Sequence, residues 1–226
     1  MTATDVEKIL NNLKTPEGKL HFLKKELAQG DQAAAPYVHS VVEELARSRA
    51  SVYSNGNPVW EAGKIYEEMG LLEDALVTYV KFGSLSKAAD ISKKLGRTKD
   101  AQGYFSQFIK KDLKRREASE KKGVLFAEGK RDYYLRLSKE AESFGLQDKS
   151  DELFVKAVEF VEKSFPLHAL ELVEGRKNVS VEMRNRILEK AAKEEESRGN
   201  FERAAELSRK AGLEEQAKMY EEILSS

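Results

Sequence analysis

Cysteine is absent from all 226 residues, which excludes a disulfide framework, a thiolate zinc site and a thiol nucleophile. A reducing, cytoplasmic setting fits that absence and is the expected location. Proline is scarce, at four residues, so little interrupts helical patterns. Charge of one sign is lacking too: 39 lysines and arginines meet 39 aspartates and glutamates, leaving no global field to recruit nucleic acid or a membrane surface. No apolar run approaches the ~20 residues that a spanning helix needs. The first ten residues mix Asp5, Glu7 and Lys8 with apolar ones, a pattern of neither a signal peptide nor an anchor. A soluble chain that does not insert into membranes is expected.

Motifs that carry chemistry are also missing. His21, His39 and His168 stand far apart with no partner at metal-ligand spacing, so no metal is expected. Gly56 and Gly63 are too widely separated for a phosphate loop, and Ile65 stands where such a loop needs a metal-binding hydroxyl. There is no nucleophile elbow and no dinucleotide fingerprint. The expectation is a non-enzymatic protein without a cofactor.

What is present is a rhythm. Gly70, Gly83 and Gly96 stand thirteen residues apart, each followed five residues later by Ala75, Ala88 and Ala101; Gly199 with Ala204 and Gly212 with Ala217 repeat the spacing. Ten helical residues at ~1.5 Å rise make a rod of about 15 Å, and three more suffice for a reversal. Glycine suits the residue just past such a helix, where a left-handed backbone costs any other residue about 1 kcal/mol or more. The small alanine falls in the next helix's first turn, where it allows close approach.

Eight residues after each glycine stand Thr78, Ile91, Tyr104, Leu207 and Tyr220, and twelve after stand Phe82, Leu95, Phe108, Ala211 and Leu224. With the alanines these define one helical face, expected to be buried. The positions three and four after each glycine are mostly charged and are expected to face water. Helices this short are marginal alone, so each unit needs its neighbours, as in a solenoid.

The rest of the chain reads as less regular helices. Thr15-Pro16, Asn57-Pro58 and Ser180 are helix starts, Ser54 to Pro58 is a loop, and Gly145, Gly175 and Gly199 are stops. The expected fold is all-α, an α-solenoid of antiparallel helical hairpins with about 13–14 helices. It is read as one continuous domain: N-terminal helices over 1–56, regular units over 57–110, irregular hairpins over 111–198 and capping units over 199–226.

Residues 60–82 resemble a tetratricopeptide repeat. Ala62-Gly63, Tyr66, Gly70, Leu72, Ala75 and Tyr79 occupy the motif's small, aromatic and turn positions in order, while Trp60 stands one place late and Phe82 replaces a small residue. The following units are shorter than the family's, closer to the compressed hairpins of coat-type and transport-type α-solenoids. The resemblance implies a tetratricopeptide-like superhelix whose first helices line a concave groove for a protein or peptide partner. It places Asn57, Trp60, Lys64, Glu67 and Glu68 on that groove. The lysine and asparagine pattern of chaperone-tail binders is absent, which argues against a carboxylate clamp.

Two features have competing readings. Trp60, the single tryptophan, either packs under a neighbouring helix or anchors a partner. The basic segment Lys110, Lys111, Lys114, Arg115, Arg116, Lys121, Lys122, Lys130 and Arg131, followed by Tyr133 and Tyr134, either forms a solvated, salt-bridged surface or holds a nucleic acid by phosphate contact and base stacking. The leading expectation is an interaction scaffold, with nucleic-acid binding through 110–131 as the alternative.

Overall fold

A computed structural model describes residues 1–52, 56–123 and 129–225. The described residues are helical, with no strand among them, and pack as two compact units, Met1–Lys114 and Arg115–Ser226. Ser54 and Asn55 of the predicted loop lie outside the described residues, as do residues 124–128 of the basic segment 110–131.

The first unit opens with α1 (Ala3–Asn12), capped reciprocally by Thr2 and Asp5. In α2 (Pro16–Ala28) the Thr15 hydroxyl accepts the Gly18 N–H. A 3-10 turn at Gln32–Ala34 leads into α3 (Ala35–Val52). Asn57 caps α4 (Pro58–Met69) by accepting from the Val59 and Trp60 N–H groups, and Pro58 sits in the first turn, where a missing N–H costs nothing. Then follow α5 (Leu72–Phe82), α6 (Leu85–Lys94) and α7 (Thr98–Glu120). From α2 to α6 the helices pack in succession, α2 on α3, α3 on α4, α4 on α5 and α5 on α6. Their shared core includes Leu23, Val42, Leu45, Ile65, Tyr79 and Ile91.

In the second unit α8 (Lys130–Ser143), α9 (Gln147–Glu162), α10 (Pro166–Glu174), α11 (Val181–Ser197), α12 (Phe201–Lys210) and α13 (Glu214–Ser225) pack in the same sequential way. Val158, Val173, Ile187, Ala191 and Leu207 centre its core. This is an all-α, solenoid-type arrangement of helical hairpins, with thirteen α-helices among the described residues.

The glycine rhythm does what its spacing predicts. All five glycines have φ between 74° and 78°, and the residue after each of Gly70, Gly83, Gly96, Gly199 and Gly212 donates its N–H to the carbonyl four residues before the glycine. At Gly83 a Cβ would meet nothing within 4 Å, so the requirement there is conformational alone. Gly83→Val is therefore expected to lose about 1 kcal/mol or more in urea denaturation; an unchanged midpoint would remove the turn role.

All five alanines are buried. The expectation that the +12 position shares their face needs correction: Phe82 is 41% and Leu224 55% exposed, Leu95 and Phe108 are half-buried, and only Ala211 is buried. The +9 position is buried instead at Tyr79, Ser92, Phe105 and Ser208. A helix with a neighbour on each side buries a wider arc than one stripe, and the +5/+9 pair lies along its middle. At the +3 and +4 positions the predicted solvent exposure holds except at Ser86 and Lys87, which are half-buried.

The hydroxyls of Ser92 and Ser208 are buried without a hydrogen-bond partner. An unmet buried hydroxyl costs about 1–3 kcal/mol. Ser92→Ala is expected to raise unfolding stability by about 1 kcal/mol, and a loss of stability would show that the hydroxyl has a partner.

Candidate functional site

Helix α4 has two distinct sides, because residues two apart on a helix point about 200° away from each other. One side carries Lys64; the other carries Ala62, with Pro58, Val59 and Tyr66 along the same edge. The structure places the residues implied by the repeat resemblance on the first side or at its margins, and it does not bring all five together.

Asn57 is occupied by its capping bonds. Trp60 is half-buried, its ring 5.3 Å from that of Tyr79 and 6.0 Å from that of Phe82. Lys64 pairs with Glu61 on its own helix at 2.9 Å. Glu67 turns toward α5 and α6, accepting from the Tyr79 hydroxyl at 2.6 Å and the Lys94 ammonium at 3.0 Å, with Lys87 at 4.0 Å. Glu68 turns the opposite way: its carboxylate meets Arg49 of α3 at 3.3 Å, and its backbone carbonyl accepts from Lys24 of α2 at 2.8 Å. Glu67 and Glu68 thus tie α4 to helices on either side of it.

Burial alone would push the Glu67 carboxyl up, but the Tyr79 hydroxyl and Lys94, with Lys87 nearby, outweigh it and hold the group below the usual carboxylate range. A depressed folded-state value means that the contribution to stability is full above the unfolded value and is lost as pH falls through the folded one. Glu162 in the second unit follows the same rule, buried under Arg186 at 2.9 Å and Lys190 at 2.8 Å. Thermal melts followed from neutral pH into the acid carboxylate range are expected to fall. Glu67→Gln should lower neutral-pH stability by about 1–2 kcal/mol and flatten that fall; an unchanged pH slope would contradict the assignment.

The basic segment is divided. Lys110, Lys111, Lys114 and Arg115 are exposed on α7, and Lys121 and Lys122 are exposed in the turn that follows it. Arg116 is instead buried, pairing with Glu120 at 3.1 Å and stacking its guanidinium 4.0 Å over the Tyr133 ring. Lys130 pairs with the same Glu120 at 2.8 Å, and Arg131 with Asp132 at 2.8 Å. Tyr133 is buried against that guanidinium. The stacked Arg116 is a packing contact between two helices, and Arg116, Lys130 and Arg131 hold carboxylates of their own chain.

The second side of α4 forms the floor of a groove that sequence reading did not find. It is about 370 Å³ in volume, within the range of ligand-holding pockets, and is walled by α3 and α5. Val59, Ala62 and Tyr66 lie at its base beside Ala46 of α3; Val77, Thr78 and Lys81 come from α5; His39, Glu43 and Arg47 come from α3. Val77 is 67% exposed, an apolar side chain without cover.

The polar rim is ordered. The Tyr66 hydroxyl lies 2.5 Å from His39 Nδ1, and His39 Nε2 lies 3.2 Å from Glu43. Glu43 also meets Arg47 at 3.6 Å. Burial, with the charges of Asp74 and Glu43, pushes the Tyr66 hydroxyl up to about 12, so it stays protonated and serves as a hydrogen-bonding wall rather than a nucleophile. The i, i+4, i+8 spacing of His39, Glu43 and Arg47 was visible as a polar stripe. Nothing in the sequence showed that α5 stands opposite it.

A second cavity, of about 630 Å³, lies among α8, α9 and α10. Arg176 at its wall donates to the Ser138 hydroxyl at 3.1 Å, the Ser150 hydroxyl at 2.8 Å and Asp151 at 2.8 Å, and lies 4.4 Å over the Phe154 ring. These bonds satisfy two buried serines from two helices and make the arginine a structural cross-link. No cluster of three or more histidines and carboxylates able to hold a metal occurs among the described residues, and no described helix is long and apolar enough to cross a membrane.

No protein-family model matches the sequence, and no curated protein matches it. A solved structure titled "Crystal structure of MamA" aligns with 86% of this chain and 95% of its own at 16% identity, with a TM-score of 0.31. At that score the likeness carries no argument about function.

Proposed function

We propose that this chain is a non-enzymatic interaction scaffold that holds a segment of another protein. The groove over α4 carries the reading: an apolar floor, a hydrogen-bonded polar rim and walls made of packed helices form a site that needs little ordering before it binds. Short peptides bury apolar anchors in such grooves and satisfy their polar groups at the rim.

The opposite side of α4, where the repeat resemblance puts Asn57, Trp60, Lys64, Glu67 and Glu68, is a second contact surface in this proposal. The observation favouring it is Phe82, exposed beside the half-buried Trp60. Nucleic-acid binding through 110–131 has less behind it, since Arg116, Lys130 and Arg131 are already paired.

The test is selection of short random peptides displayed on phage against the full chain. Peptides are expected to enrich on the native protein, and Val77→Asp, a change at an exposed position, should lose most of them without shifting the melting temperature. No enrichment, or enrichment indifferent to Val77→Asp and to substitution of Trp60, would overturn the reading. Retention of RNA at low salt, lost on adding salt and on reversing the exposed Lys110, Lys111 and Lys114, would favour the nucleic-acid alternative.

A further inference from the structure

Resting on that reading, we infer that the groove over α4 takes a tryptophan side chain of the partner, its indole set on the apolar floor and its N–H donated to the Tyr66 oxygen. Net charge does not choose the occupant. Arg47 and Lys81 line the groove, but Glu43 stands beside Arg47, and Asp74 of α5 acts with Glu43 on the Tyr66 hydroxyl. With His39 neutral, two cations therefore face two carboxylates. What is left to select is the shape of the floor and the hydrogen-bonding sense of its polar atom.

That sense is fixed by His39. The Glu43 carboxylate, which can only accept, lies 3.2 Å from His39 Nε2, so in the neutral imidazole the proton sits on Nε2. Nδ1 is then an acceptor, and the Tyr66 hydroxyl 2.5 Å away donates to it. Among the described residues this is the one hydrogen bond that the hydroxyl makes. Its proton is engaged, and what the oxygen offers to the groove is a lone pair.

The floor beside that oxygen is apolar. Ala46 and Ala62 are small, Val59 and Val77 add aliphatic surface, and the volume of about 370 Å³ leaves room for a bicyclic ring. A charged side chain set there would lose its hydration. Leucine or phenylalanine would fill the space but cover the Tyr66 oxygen without giving it a donor. Among large apolar side chains tryptophan alone carries a donor and no acceptor. A tyrosine anchor could donate too, but its own oxygen would need a second donor, which an indole does not. Thr78, half-buried on the α5 wall, does not discriminate, because its hydroxyl rotates to donate or accept. Arg47 and Lys81, on opposite walls, favour an aromatic face, and indole is the strongest partner for a cation among the aromatic rings.

The peptides enriched on the native chain in the display selection are sequenced, and one of them, labelled with a fluorophore, is followed by fluorescence anisotropy. Tryptophan is expected in excess over the input library. Replacing that tryptophan by naphthylalanine, which keeps the size of the ring and lacks the N–H, should weaken binding to the native chain roughly three- to tenfold, the effect of one hydrogen bond. Tyr66→Phe keeps the ring in the floor and removes the acceptor. On that variant, checked for folding by circular dichroism, the same replacement should make little difference. The comparison on the native chain stands whether or not the variant folds. A native pool that depends on Val77 but has no excess of tryptophan would overturn the indole and leave the scaffold reading standing. Equal binding of the tryptophan and naphthylalanine peptides to the native chain, or an undiminished loss on Tyr66→Phe, would do the same. An absence of any enriched pool would overturn both.

Discussion

Tyr79→Ala is expected to remove about 3–5 kcal/mol of stability, the cost of deleting a fully buried aromatic side chain. Tyr79 is 0% exposed and sits where α4 and α5 meet. Its ring packs against Trp60 at 5.3 Å, and its hydroxyl donates to Glu67 at 2.6 Å. Burial, followed by the bond to Glu67, raises the hydroxyl well above the ordinary tyrosine value, so it remains a donor at every working pH. The substitution leaves a cavity and also strips Glu67 of one of the groups that hold its charge. Tyr79→Phe separates the two contributions: the ring stays and the hydrogen bond goes, with an expected loss of about 1–2 kcal/mol. Urea denaturation of the full chain measures both. A loss below about 1 kcal/mol for the alanine variant would mean that the site collapses around the missing ring and that α4 and α5 do not depend on it.

Gly63→Val is expected to cost about 2–3 kcal/mol, and the reason is the same ring. Gly63 lies inside α4, where glycine is ordinarily about 1 kcal/mol worse than alanine, so helix propensity by itself predicts that Gly63→Ala stabilises. The geometry predicts the opposite. A Cβ at this position would stand 2.7 Å from Tyr79 Cε1, 2.9 Å from Cζ and 3.0 Å from Cδ1. The ring cannot withdraw, because it is enclosed on its other sides and tethered through its hydroxyl. Overlap therefore wins over propensity, and valine adds two methyls to a contact already too close for one carbon.

A double-mutant cycle makes this decisive. In the Tyr79→Ala background the obstruction is gone, so Gly63→Ala should turn from destabilising to neutral or stabilising. Additive losses would place the cost of the Cβ somewhere other than at Tyr79.

This close approach also explains which parts of the site could be read from the chain. The pair Ala62-Gly63 and the aromatics Tyr66 and Tyr79 stood out as small and aromatic positions of the repeat, and the structure puts Tyr79 against Gly63. The same reading set Phe82 on the buried face with the alanines. Phe82 is instead turned outward beside Trp60, because α5 is rolled so that Ala75, Leu76 and Tyr79 face its neighbours. Roll about a helix axis is set by what lies on both sides, and a periodic pattern locates an apolar arc only to within a residue or so. Among the basic residues, the sequence showed charge density but not pairing. Arg116 is buried over Tyr133 because α7 and α8 bring together residues that stand seventeen positions apart.

What the chain determined by itself was local: helix ends with positive-φ glycines, caps at Thr15, Asn57 and Ser180, and alanines where one helix closes on the last. Each follows from the backbone freedom or the size of one residue, and needs no knowledge of what lies further along. The groove over α4 was decided only in three dimensions. His39, Glu43 and Arg47 meet Val77, Thr78 and Lys81 across some forty residues of chain, and a surface made by side chains from three helices exists only once packing has fixed how far apart and at what roll those helices stand.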